Sequence, residues 1–310
     1  ANNTKQLFRE LAISKATKQA GMVNQLLEEA PIVAGMPMQP STDGFKNVYE
    51  EITNVTGASL IDLDDELAEV GANTELKETS LSILGGTMFV GEDKARQLGG
   101  AAAYFNMKQP LVLRKTGEDL EKAIVYNNLR AYTVAEGTAR SAGGSSNTNY
   151  SIVAVTWMPG EVTGLYDPAG YGNGKVFDVE AINGGNLYEK TINGKTILGY
   201  GVRLKSTLGI QLANSRYVSS LVNIDLDSAT KKPPTEEMLD ELLLNCRQNT
   251  STVLYMHPKV LTHLYNYKRD KLQVANGDSG IDSRVVMYNG TPIVASYNFV
   301  QGTEQNVTIV

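Results

Sequence analysis

The chain has 310 residues, 42% hydrophobic and 20% charged, a size that allows one or two intimately joined domains around a substantial core. Its 28 Lys and Arg against 34 Asp and Glu give a formal charge of −6, which argues against tight duplex binding, where phosphate neutralisation supplies most of the affinity. The single cysteine, Cys246, excludes an intrachain disulfide and a Cys-rich metal site, and no apolar run approaches the roughly 20 residues that span a bilayer.

The opening residues Ala1–Lys5 lack the apolar stretch of a signal peptide, so a cytosolic product is expected. From Thr4, a candidate N-cap, to about Ala20, the residues Leu7, Phe8, Leu11 and Ile13 recur near helical spacing. Met22–Glu29 reads as a further short helical piece. Pro31, Pro37 and Pro40 then predict an extended arm rather than a helix, one that finds its burial against a neighbouring copy. From Phe45 to about Val90, the alternation of Val48, Glu50 and Ile52 with Tyr49, Glu51 and Thr53 predicts an exposed two-sided ribbon. The acidic run Asp62–Glu66 reads as a solvated loop or ribbon. A calcium loop fails there, because Leu67 stands where the turn glycine is required.

Ala101–Lys108 reads as a helix that Pro110 kinks or ends. A second helix is expected after Thr116, with Asp119 completing an approximate capping box, and Leu120, Ala123, Ile124, Asn127, Ala131 and Val134 near one face until Gly137. Ser141–Asn147 is a loop by composition. From Ser151, alternating Ile152, Ala154, Thr156 and Val153, Val155, Trp157 predict a strong strand. Short runs at Val162–Tyr166, Lys175–Val179, Leu187–Thr191, Gly199–Leu204 and Arg216–Asp225 then suggest a meander of short antiparallel strands. A small α/β unit closes the chain. It comprises a helix capped by Thr235, a strand at Ser251–Met256, a helix opened by Pro258, a hairpin turning at Asn289-Gly290, and a last strand over Asn306–Val310.

Catalytic chemistry has little to stand on. Cys246 could pair with His257 or His263 as a Cys-His hydrolase, yet it falls on the apolar face of its own helix, where free Cys acts as a small hydrophobe. His257 precedes Pro258, a helix-capping position, and a six-residue separation of the two histidines does not match a helical metal pair. Gly194-Lys195-Thr196 lacks the glycine a phosphate loop needs five residues earlier, since Glu189 is there; it reads as a turn. Gly170, Gly172 and Gly174 lack the setting of a dinucleotide site and read as hairpin residues.

The run Ser151–Trp157, then Val162–Pro168, Gly199–Gly209 and Asn214–Val218 leading to Val222–Asp225, resembles a family of tailed-bacteriophage major capsid proteins. Leu254–Leu261 and Asn289–Val294 resemble that family's strand-to-helix step and late strand. The resemblance extends from about Phe45 onward and implies an α+β fold of the Hong Kong 97 type. Residues 1–40 would form the N-terminal arm, 41–90 the extended loop and adjoining strands, and 91–150 the spine helix region of the peripheral domain. Residues 151–230 would be β-rich peripheral and axial strands, and 231–310 the axial α/β domain with a terminal strand. Pro110 departs from the family's long spine helix. Some capsids of this fold crosslink covalently, but no Lys–Asn pair is assignable here. The function implied is a structural subunit, not an enzyme, that self-assembles as hexamers and pentamers into an icosahedral head around double-stranded DNA. Scaffolding, portal and decoration proteins are the further partners implied, the DNA being enclosed without sequence-specific binding. No catalytic residue, cofactor, metal or membrane is expected, and the location is the virion, with the host cytoplasm during assembly. An encapsulin-like nanocompartment shell is the alternative within the fold; the hydrolase built on Cys246 and His263, or a free-standing accessory head protein, lies outside it.

Overall fold

In the computed structural model the residues described are 30–58, 60, 69–168, 178–267, 272–276, 284–299 and 304–309. The expected helices over Thr4–Ala20 and Met22–Glu29, the acidic run Asp62–Glu66, and Gly170, Gly172 and Gly174 lie outside them. In chain order the elements begin with α1 (Pro31–Gly35), β1 (Met38–Pro40), β2 (Lys46–Thr56), β3 (Gly71–Ser80), β4 (Ser82–Gly91), α2 (Glu92–Gln97) and α3 (Ala101–Ala123). α3 passes without a break into a π-helical stretch, Ile124–Arg130, and then α4 (Ala131–Ala135). Next come β5 (Ala139–Ser141), β6 (Asn149–Thr156), β7 (Val162–Tyr166), β8 (Asp178–Ala181), β9 (Tyr188–Ile192), β10 (Lys195–Leu212) and β11 (Val218–Asp225). The last are α5 (Glu236–Asn245), β12 (Thr252–Met256), α6 (Pro258–Tyr267), β13 (Leu272–Asn276), β14 (Arg284–Tyr288) and β15 (Thr291–Ala295).

The strong strand expected from Ser151 is β6, and it is the centre of the molecule. The central sheet runs β13-β14-β15-β12-β6-β11-β5, and every residue of β6 is buried. Its alternating side chains feed two cores. Tyr150, Ile152 and Ala154 pack with Leu239, Leu242 and Leu243 of α5 and Val260 and Leu264 of α6. Val153 and Val155 point the other way, onto Ile124, Val125 and Leu129. Each such side chain contributes roughly 1.5–3 kcal/mol on full burial, so the strand's uninterrupted apolar run reflects cover on both faces. Trp157 closes the second core, its indole N–H donating to the Tyr255 hydroxyl at 2.8 Å.

The short antiparallel strands expected after β6 are present as β7, β8 and β9, each pairing antiparallel with β10. The run expected at Gly199–Leu204, however, is the middle of one 18-residue strand, β10, in a second sheet ordered β1-β7-β10-β4, and β11 joins the central sheet instead. Glycines that suggested turns lie mid-strand. A side chain at Gly201 would run into the Tyr188 ring, and one at Gly199 into the Phe89 ring; these two rings stack edge to face across the strand at 5.5 Å. The turn expected at Gly194-Lys195 is present, with Asn193 and Gly194 at φ 51° and 76°, joining β9 to β10. Asn289 and Gly290 turn the β14–β15 hairpin in the same left-handed region.

Pro110 neither ends nor divides the helix, which runs from Ala101 to Ala135. Phe105 and Leu113, one turn to either side, are buried, and their packing outweighs the ~3 kcal/mol by which an interior proline disfavours a helix. Thr116 is therefore not a cap; its hydroxyl donates to the Val112 carbonyl inside the helix, and Asp119 pairs instead with Lys115 at 2.9 Å. The buried line is also not the expected one. Ala101, Phe105, Gln109, Leu113, Gly117, Glu121, Val125, Leu129 and Thr133 are all buried, at an unbroken spacing of four, whereas Asn127 and Ala131 are exposed. On an α-helix such a line drifts by about 40° per step. It winds from the β4–β10 sheet, which meets Phe105 and Leu113, to the central sheet, which meets Val125 and Leu129.

The residues expected as an extended arm also differ. Pro31 occupies the first turn of α1, its preferred helical position, and Ala30, Ile32, Val33 and Met36 are buried in the chain's own second core. Among the described residues 304–309 the expected terminal strand is not formed. Glu304 makes an isolated bridge to Asn149, and both main-chain groups of Val307 are taken by the Asn223 side chain, at 2.7 and 2.8 Å, in place of a strand partner.

Candidate assembly surface

The β2–β3 ribbon projects as a two-stranded sheet of its own, paired from Lys46↔Ser80 to Thr56↔Gly71. Strict alternation would send Val48 and Ile52 to one face and Val55 to the other. A bulge at Thr53 changes that: Ile52 pairs with Thr74, Asn54 with Asn73, and Thr53 is left over, its hydroxyl donating to the Asn73 carbonyl at 3.1 Å. Beyond the bulge the phase reverses. Val48, Ile52 and Val55 therefore share one face with Leu76, at 41%, 62%, 62% and 73% exposure, and with the exposed Glu50 and Glu78, which stand opposite Leu76 and Val48. The opposite face carries Tyr49, Glu51 and Lys77, with Glu51 and Lys77 ion-paired. Those three residues help line a cleft of about 900 Å³ whose far wall includes Tyr132, Glu136, Glu161 and Arg216. Burial, then the nearby Glu136, Tyr49 and Glu51, push the Tyr132 hydroxyl up to about 12.

The ribbon's root is held by amides. Asn47 is the one buried side chain in β2 and β3. Its Oδ1 accepts from the Thr42 N–H at 3.0 Å, and its Nδ2 donates to Oε1 of the buried Gln211 on β10. Gln211 Nε2 donates onward to the Gly160 carbonyl at 2.6 Å, and the Gly160 N–H donates to Oε1 of Gln39 on β1 at 3.1 Å.

Two buried carboxylates tie distant segments to the long helix. Glu121 accepts from the Ile32 N–H at 2.9 Å, from the Asn298 amide at 3.1 Å and from the Ser296 hydroxyl. Glu304 accepts from Tyr126 at 2.7 Å, from Arg130 at 3.1 Å and from the Ser151 hydroxyl. Burial pushes both carboxyls above the usual range, against these hydrogen bonds. Sequence reasoning missed both, along with Asn47 and Gln211. A lone acid between Leu120 and Ile124 was the available signal for Glu121; nothing local marks the others.

The residues considered for catalysis are dispersed into structural roles. Cys246 closes α5 and is buried, its Sγ donating to the Leu243 carbonyl at 3.4 Å. Burial pushes its thiol up to about 11, so little thiolate exists at neutral pH. His257 caps α6, its Nδ1 accepting the Lys259 N–H at 3.1 Å, as its place before Pro258 suggests. His263 lies within α6, half-buried. Among the described residues, no cluster of His, Cys, Asp and Glu is placed to hold a metal ion, and no helix is long and apolar enough to cross a membrane.

A family model described as major capsid protein GP7 matches residues 123–308. Among solved structures, a chain of bacteriophage Epsilon15 has a TM-score of 0.56 at 17% identity, with 87% of this chain and 88% of that chain covered. The bacteriophage JBD30 capsid gives a TM-score of 0.46 at 10% identity, covering 87% and 91%. The SrpI encapsulin complex of Synechococcus elongatus PCC 7942 gives 0.44 at 13% identity, covering 64% and 89%. Comparison with curated proteins gives no match.

Proposed function

Because the chain belongs to the family of major capsid protein GP7, we propose how its subunits meet. The chain is a head-shell subunit of a tailed bacteriophage, with the α+β Hong Kong 97-type fold, and it assembles with copies of itself. In the proposed contact, the apolar face formed by Val48, Ile52, Val55 and Leu76 seats on a neighbouring copy. The observation carrying this is the bulge-aligned set of four solvent-exposed apolar side chains, which share their ribbon face with Glu50 and Glu78. Four such side chains contribute roughly 1.5–3 kcal/mol each on full burial, and head-to-tail repetition around a closed ring multiplies a contact that is weak alone.

The ribbon serves as the extended loop, the helix Ala101–Ala135 as the spine, residues 151–230 as peripheral and axial strands, and 231–310 as the axial domain. The arm comprises residues 1–29, rooted at the buried Ala30. Scaffolding, portal and decoration proteins are the further partners, assembly takes place in the host cytoplasm, and a subunit of charge −6 encloses DNA without gripping its sequence. The role is non-enzymatic, and the buried, protonated Cys246 supports setting the hydrolase aside. The family matched is that of a capsid protein, which disfavours the encapsulin reading.

Electron microscopy of the expressed chain, with Ile52→Asp and Leu76→Asp beside it, tests the contact. Closed shells from the wild type and soluble, folded subunits from both variants are expected. Normal shells from both variants would remove the ribbon face from the interface.

A further inference from the structure

We infer that the Asn47–Gln211 pair is a positioning device that fixes the angle of the β2–β3 ribbon and thereby the curvature at which subunits join. The inference rests on the ribbon being the assembly contact. Strands of 11 and 10 residues make a beam about 35 Å long at roughly 3.4 Å per residue. A small change of angle at its root is therefore a large displacement at its far end.

The cleft separates the beam from the body along residues 49–55, with Tyr132, Glu136 and Glu161 on the far wall. Over that length no apolar core holds the beam, since every residue of β3 and every residue of β2 except Asn47 is exposed or half-buried. At the root, main-chain bonds fix only where the strands leave the body: the Ser41 N–H donates to the Tyr166 carbonyl and the Leu81 N–H to the Phe45 carbonyl, both at 2.8 Å.

Orientation needs further attachments, and the amides supply them. Gln39, Gly160, Gln211, Asn47 and Thr42 form a chain of hydrogen bonds that closes on itself, because Gln39 and Thr42 are joined through Pro40 and Ser41. Thr42 adds a second tie, its hydroxyl accepting the Val48 N–H at 2.9 Å. Both polar ends of each of the two side-chain amides are engaged within this ring. Swinging the ribbon would leave at least one buried amide group unsatisfied, which is why the angle is held.

The test uses the full-length chain under conditions where the wild type closes into shells. Asn47→Leu is nearly isosteric and cannot bridge. It is expected to retain the circular dichroism of the wild type, lose the single shell diameter and yield a spread of diameters with open sheets. The exchanged pair Asn47→Gln with Gln211→Asn keeps two amides and their summed length, and should return the population toward one diameter, a rescue that a merely structural defect would not show. Should Asn47→Leu fail to fold, Gln211→Asn alone shortens the bridge by one methylene and makes the same demand on diameter. Shells of wild-type diameter from Asn47→Leu, or from Gln211→Asn in its place, would overturn the inference. Failure of the wild type itself to close would instead overturn the assembly contact.

Discussion

Glu304 lies 3.1 Å from the guanidinium of Arg130, a residue 174 positions earlier, and this pair fastens the end of the chain to the π-helical part of the long helix. The Glu304 side chain is nearly inaccessible while that of Arg130 keeps 21% exposure. Removing the acid therefore strands Tyr126 and Ser151 more than Arg130, which retains access to water. Glu304→Ala is expected to destabilise the subunit by ~2–3 kcal/mol, below the range for a fully buried pair. Urea unfolding of the subunit measures it, and an effect below ~0.5 kcal/mol, typical of surface substitutions, would count against the clasp.

The buried acids carry a pH signature whose sign differs from that of an ordinary paired carboxylate. Burial raises Glu121 and Glu304 in the folded state, so the fold takes up protons before the unfolded chain does. Their contribution is fully present below the unfolded carboxylate range and is lost as pH rises through the raised values. Asp225 behaves oppositely. Burial opposes its ionisation, but hydrogen bonds from Ser228, Ser146 and the Asp227 N–H overcome it and hold the carboxyl at about 2. Its contribution is present above the unfolded range and is lost as pH falls toward that value. Urea unfolding across the acid range should show the stability gap between wild type and Glu121→Gln widening as pH falls, and the gap for Asp225→Asn narrowing. The reverse order would show that the two environments have been misjudged.

Cys246 offers a simpler check. Cys246→Ala should cost roughly 1–2 kcal/mol, as a small core truncation does, and leave shells intact. The thiol should also resist alkylation in the folded subunit at neutral pH. Rapid labelling, or loss of assembly without loss of stability, would reopen a chemical role.

Truncation separates the arm from its root. Removing residues 1–29 should impair shell formation while the subunit still folds. Continuing the deletion to Pro40 removes the buried Ile32, Val33 and Met36 and one of the donors to Glu121, the Ile32 N–H. At roughly 1.5–3 kcal/mol per buried side chain, the longer deletion should abolish cooperative unfolding, as circular dichroism would show. Equal stability of the two truncations would place the root of the arm later in the chain.

The contrast between what was legible and what was not follows the range of the forces involved. β6, α5, α6 and the Asn289-Gly290 turn are read correctly because local alternation, a Thr235 cap accepting the Met238 N–H, a proline at the start of a helix and a left-handed dipeptide decide them. The two-sided ribbon was legible for the same reason, as a period-two pattern. The helix through Pro110 was not, because Phe105 and Leu113 hold it from outside the local chain. Nor was the length of β10, whose glycines answer to rings on β4 and β9. At the proposed assembly surface, the apolar residues were visible but their common face was not. That face depends on Thr53 falling out of register, a property of the pairing and not of either strand. Asn47 and Gln211, 164 positions apart, carry no mutual signal in a single sequence.

The buried line that winds along Ala101–Ala135 makes this stretch sensitive to length in a way it is not to composition. One inserted or deleted residue between Phe105 and Ala123 would rotate every later contact by about 100° about the axis, turning Val125 and Leu129 away from the central sheet while Phe105 stayed in place. Conservative exchanges along the line disturb one contact at a time. Viable relatives should therefore differ here by substitution, with insertions and deletions displaced to the connections on either side.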